Sequence, residues 1–187
     1  MKKYTFWHGY HIYAIDDTTL QIPPSKKNLK VFGYNRNQHG KDEPLPSASL
    51  LYDVTQGLVV DSKTSDYGLN ERDPVIEYLN TFLDIKPVGL HIVLFVRGYP
   101  LYDLFQHLIE NYLYFVMRLS FSFNKLIIND SEDTITFYKP KPQKHSQALS
   151  CIHFRITDGR MEYLVTNIME PTFCPNSFKE LYFFRWG

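Results

Sequence analysis

Two carboxylates close an apolar stretch early in the chain: in "GYHIYAIDDTTLQIP", Asp16 and Asp17 follow Ile12, Tyr13, Ala14 and Ile15. The pair supports two readings. As a turn, Asp and Thr break the strand, and Leu20 with Ile22 form its return. As a ligand, a carboxylate at a strand end offers the rigid oxygen donor that a hard cation such as Mg²⁺ requires. A second stretch, "VLFVRGYPLYDLF", runs an apolar strand into Arg97 and then a helix. Catalytic groups of open α/β sheets gather at the carboxyl ends of strands. The position that would be asked for a carboxylate here is Val96. Arg97 is either structural or a phosphate contact. The loop "KPKPQKHSQ" carries Lys139, Lys141 and Lys144, which either stay solvated or touch phosphates. The seven histidines show no HxxxH spacing, and His91, opening the apolar strand, reads as a structural group. There is no GxSxG, and neither cysteine reads as a nucleophile.

These residues need elements to hold them. "GYHIYAID" reads as a strand, Gly9–Asp16, and Pro23 to Pro46 as a long polar loop. "SASLLYDVTQGLVVDS" is a hairpin about "TQG". Asn70–Leu83 is helical, with Pro74 in the first turn and Val75, Tyr78, Leu79 and Phe82 on one face. "LHIVLFV", Leu90–Val96, is a strand buried on both faces, and Leu101–Leu113 an amphipathic helix. Tyr114 to about Asn167 breaks into short strands, which we expect to pack beside the main sheet rather than within it. A last helix opens at Phe178 behind Ser177 as N-cap. The order predicts a mixed α/β fold with a β-rich insertion.

Composition bounds the rest. With 187 residues and 44% apolar content, the chain forms one domain, or one domain with an insertion. No apolar stretch is long enough to span a membrane, and the amino terminus is not a signal peptide. Two cysteines are too few for a disulfide framework or a zinc site, which points to a reducing cytoplasm. Net charge is zero, so any nucleic-acid surface must be local.

Taken together, these stretches resemble the DDE transposases of bacterial insertion sequences, in the subgroup with a β insertion inside an RNase H-like catalytic domain. "GYHIYAIDDTTLQIP" is similar to the first-aspartate segment, with Asp17 in place of the usual glycine. "LFVRGYPLYDLF" resembles the second-aspartate segment, usually Asp-Arg-Gly-Tyr, with Val96 in place of the aspartate. "EYLVTNIMEPTFCPNSFKELYFFRWG" is similar to the approach to the third acid, a Tyr-x2-Arg-x3-Glu-x6-Lys signature.

The resemblance implies a partial RNase H-like domain over 1–187, a β-rich insertion at about 114–167 and a truncated final helix. Tyr182 and Arg185 fill the signature's Tyr and Arg, so its glutamate falls at position 189, beyond Gly187, and the sequence-recognising amino-terminal region is absent. In the intact family, three carboxylates hold two Mg²⁺ or Mn²⁺ ions about 4 Å apart and cut and join DNA strands. By resemblance Asp16 is the catalytic metal ligand, while Arg97, Tyr182, Arg185, Lys139, Lys141 and Lys144 are DNA or phosphate contacts. The implied partners are insertion-sequence ends and target DNA, with a homodimer or an intact transposase beside them. With one carboxylate in place, metal binding is weak or lost and the expected state is an inactive remnant. The alternative is a non-catalytic DNA- or partner-binding protein that interferes with an intact transposase. A nuclease using Asp53 or Asp61 is a third reading.

Overall fold

A computed structural model of the chain describes residues 6–36, 39–65, 73–85, 89–96, 102–119, 135–138, 149–156 and 159–186. The chain divides into two units, one of Met1–Ala14, Val54–Gln56 and Gly89–Gly187, the other of Ile15–Asp53 and Gly57–Val88. Strand β1 (Tyr10–Thr19) gives its first half to the former and its second half to the latter.

In the first unit the strands run in the order β1, β6, β7, β10, β9, β8. Strand β6 (Leu90–Phe95) lies parallel to β7 (Tyr114–Arg118), with Ile92 beside Tyr114 and Phe95 beside Met117. Parallel neighbours need a crossover, and α3 (Tyr102–Glu110) lies on it. The continuous apolar run of β6 has the expected cause, since Ile92, Val93, Leu94 and Phe95 are all fully buried.

The strands after α3 depart from expectation. Strand β10 (Met161–Thr166) pairs antiparallel with β7, β9 (Leu149–Arg155) pairs with β10, and β8 (Ile135–Tyr138) pairs with β9. They extend the sheet and do not pack beside it. The reason lies in β7: β6 takes one of its edges, leaving the amide and carbonyl groups of the other edge to be satisfied. Strand β10 supplies them, and Thr166 adds its hydroxyl to the Phe115 carbonyl at 2.5 Å.

Helix α4 (Pro175–Trp186) presses Phe178, Leu181 and Tyr182 into a core shared with Trp7, Tyr10, Ile12, Phe154 and Phe173. Each such side chain contributes about 1.5–3 kcal/mol of burial. The helix begins earlier than the Ser177 reading had it. Pro175 occupies its first position, where a missing N–H costs nothing, and the Cys174 carbonyl accepts from the Ser177 amide at 2.9 Å.

Helix α3 also ends three residues before the expected Leu113. The Leu113 amide donates to the Leu108 carbonyl at 2.9 Å and that of Tyr112 to Ile109 at 3.0 Å, the double closure of a Schellman cap. Such a cap wants glycine in the left-handed position, yet Tyr112 sits there at φ 56° with its side chain 93% exposed. Tyr112→Gly should therefore stabilise the protein by about 1 kcal/mol, read as a raised urea midpoint with an unchanged m-value.

In the second unit the order is β5, β4, β1. Strands β4 (Ser47–Asp53) and β5 (Leu58–Ser65) form the expected hairpin, closed where the Gly57 amide, at φ 72°, donates to the Asp53 carbonyl at 2.9 Å. Helix α2 (Asp73–Ile85) buries Val75, Tyr78, Leu79 and Phe82, the face its spacing predicts. The segment from Pro23 to Pro46, expected as loop, instead contains helix α1 (Lys26–Phe32) and a short ladder of β2 (Asn35–Arg36) with β3 (Asp42–Glu43). Ser25 caps α1 by accepting from the Asn28 amide at 3.1 Å, and Gly33 ends it at φ 67°. Among the described residues no helix is long and apolar enough to cross a membrane.

Candidate functional site

The acidic end of β1 lies in the second unit. Ile15 is buried, Asp16 and Asp17 are half-buried, and Thr18 and Thr19 are exposed, so the carboxylates stand where the strand leaves the core. The Asp17 amide donates to Asp16 Oδ1 at 3.0 Å, which turns that carboxylate back along its own strand. In the same unit α2 contributes Tyr78, whose buried hydroxyl donates to the Ser49 carbonyl at 2.6 Å. Burial raises the Tyr78 pKa, and the charges of Asp61 and Asp17 push the same way against that hydrogen bond. The Lys63 ammonium pairs with Glu77 and lies 5.4 Å from the centre of the Tyr78 ring. Asp53 is buried at the end of β4.

The first unit holds the remaining described candidates. Val96 is half-buried just past β6. His91, at the start of β6, is buried and its ring stacks on His11 at 5.3 Å and 21°, in keeping with a structural role. Tyr182 is 5% exposed, with its ring edge-on to Phe154 at 5.5 Å and to Phe183 at 5.3 Å. The Arg118 guanidinium covers that ring at 5.2 Å and forms a two-pronged pair with Glu162, at 2.8 and 3.2 Å. Sequence reasoning missed this pair. Its signal, an Arg and a Glu inside two apolar strands, is visible only once β7 and β10 are known to be neighbours. Arg185 is half-exposed in the last turn of α4. Arg97, Lys139, Lys141 and Lys144 lie outside the described residues.

A divalent cation needs several oxygen donors converging on one point. Among the described residues no three His, Cys, Asp or Glu side chains come together in that way, and Val96 brings no donor. The residues described do not fit a two-ion cage.

The two thiols differ sharply. Cys151 is buried in β9, and burial pushes its pKa up to about 12. Cys174 is exposed at the head of α4, where the Ser177 hydroxyl, 3.6 Å away, lowers its pKa. An aromatic disulfide reagent at pH 8 should therefore modify one thiol quickly in the native protein and the other only after denaturant is added. Cys174→Ser should remove the fast phase alone.

The profile of the transposase DDE domain matches residues 7–187. No curated protein matches the chain. Among solved structures, the cryo-EM structure of a piggyBac transposase synaptic complex with hairpin DNA superposes with a TM-score of 0.54 and 17% identity, over 85% of this chain and 33% of that one. The likeness is one of fold, a mixed α/β sheet of the RNase H-like kind, and this chain spans about a third of that transposase.

Proposed function

The chain belongs to the transposase DDE domain family, and from that premise we infer that it acts on DNA, as a descendant of enzymes that cut and transfer the ends of insertion sequences. In this reading Asp16 is the first carboxylate of the family's site, Val96 replaces the second, and the chain binds DNA without cutting it. The supporting observation is the family match, which runs over residues 7–187 and so takes in both the Asp16 and the Val96 segments. Family members use divalent metal ions, supplied in the intact site to activate the attacking oxygen and stabilise the leaving one. Catalytic groups that act as a unit fail together, and losing one key member costs about 10⁶ in rate.

The other residues take supporting parts. Arg185, half-exposed on α4, and Tyr182, one turn before it, are proposed as DNA or phosphate contacts. Arg97, Lys139, Lys141 and Lys144 are proposed to meet the DNA backbone. The comparison structure contains hairpin DNA, which supports DNA as the partner here. Binding without cutting would also make the chain a competitor of an intact transposase, the second reading that Val96 favours. The test is to incubate the purified chain with insertion-sequence ends and Mg²⁺ or Mn²⁺. DNA should be retained and remain uncut. Metal-dependent cleavage abolished by Asp16→Ala would overturn the reading.

A further inference from the structure

Helix α1 has no fully buried residue. Its burial pattern is nonetheless one-sided: Asn28, Leu29 and Phe32 are half-buried, whereas Lys26, Lys27, Lys30 and Val31 are exposed. At about 100° per residue, Lys26, Lys30 and Lys27 fall within one stripe about 100° wide, with Asn28, Phe32 and Leu29 on the opposite side. Ser25 and the Asn28 side chain, which donates to the Pro23 carbonyl at 2.8 Å, fix the helix start, so the stripe is held in one orientation. No carboxylate among the described residues pairs with the three lysines.

The sequence that carries the stripe is locally basic. The whole chain carries 20 basic and 20 acidic residues, yet the segment from Thr18 to Lys41 holds Lys26, Lys27, Lys30, Arg36 and Lys41 and no Asp or Glu. Of these five, Lys26, Lys27 and Lys30 stand on α1, whereas Arg36 lies in the β2–β3 ladder in register with Asp42. So short a helix is marginal without burial, and three parallel ammonium groups raise its cost further. Such a stripe is complementary to a polyanion with regularly spaced charges.

We propose that Lys26, Lys27 and Lys30 form a phosphate-contacting ridge that lies against the backbone of duplex DNA. The ridge rests on DNA as the partner and specifies where the backbone runs. Each contact releases counterions, so each lysine contributes about 0.9 to the slope of log affinity against log salt, and three contribute about 2.7.

The experiment measures binding of a fluorescent random-sequence duplex by anisotropy across a fourfold range of salt, for the unmodified chain and for K26Q/K27Q/K30Q. Glutamine keeps helix propensity while removing charge, and circular dichroism checks the fold. The slope should fall by about 2.7, so that a fourfold rise in salt weakens the unmodified chain about 40-fold more than the variant. K26R/K27R/K30R should keep the original slope. Binding with an unchanged slope in the glutamine variant overturns the ridge while leaving DNA as the partner. An unchanged slope accompanied by uniformly weaker binding overturns it as well. No binding by the unmodified chain overturns both.

Discussion

Arg118→Ala should cost about 3–5 kcal/mol of folding stability, the largest single loss expected from any polar side chain described here. Glu162 is 1% exposed and receives both prongs of the guanidinium, at 2.8 and 3.2 Å. Removing the arginine takes the two charge-assisted hydrogen bonds from a carboxylate that is almost wholly buried in the sheet. The Tyr182 ring also loses the cation over its face, worth about another 0.5–1 kcal/mol. Urea denaturation measures the total. Replacing both partners by leucine should recover most of the loss, because an apolar pair of similar bulk leaves no charge stranded. A cost below about 1 kcal/mol for Arg118→Ala would mean that the pair is screened like a surface bridge, despite an arginine side chain only 17% exposed.

The second large effect is catalytic. In a protein that carries Val96→Asp together with the family's third carboxylate on its last helix, the proposed reading predicts metal-dependent cleavage. Asp16→Ala in that protein should lower the cleavage rate by about 10⁶, the loss seen when one member of a catalytic unit is removed. Folding should move by about 1 kcal/mol at most, since the half-buried Asp16 side chain accepts from the Asp17 amide within its own strand. Gel-resolved cleavage and urea midpoints on the same preparations separate the two effects. Equal cutting with and without Asp16 would remove it from the metal site.

Local patterns of the sequence were legible wherever one element decides its own form. The run Ile92–Phe95, the face Val75–Tyr78–Leu79–Phe82 and the turn at Gly57 all follow from spacing and residue type. Helix α1 escaped because its apolar content is too small to show a period; a cap at Ser25 and a glycine at its end are its only marks. The extension of the sheet by β10, β9 and β8 escaped for a different reason. Which edge a strand joins depends on which edges other strands have left open, and no window of sequence holds that. The acidic pair of β1 was visible at once, whereas the Tyr78 hydroxyl that feels Asp17 and Asp61 was not, since α2 reads only as an amphipathic helix. Motif spacing marks Tyr182 as a position, whereas its ring contacts with Phe154 and Arg118 appear only once β7, β9 and α4 are packed.

The shared core of the first unit carries a consequence for biosynthesis. Trp7 stacks on Phe173 at 5.1 Å and 13°, and the Tyr10 hydroxyl donates to Glu170 at 3.3 Å, across 160 residues of sequence. During translation Trp7 and the strand bearing Tyr10 and Ile12 emerge long before any of their partners on α4 exists. The hairpin of β4 and β5 can close from neighbours in sequence, but this core must wait for loop closures that are among the slowest steps of folding. Until then an aromatic strand stays exposed in the growing chain, the condition under which chaperone capture competes with aggregation. Yield of soluble protein should therefore depend on elongation rate and temperature more than on the stability of the finished fold.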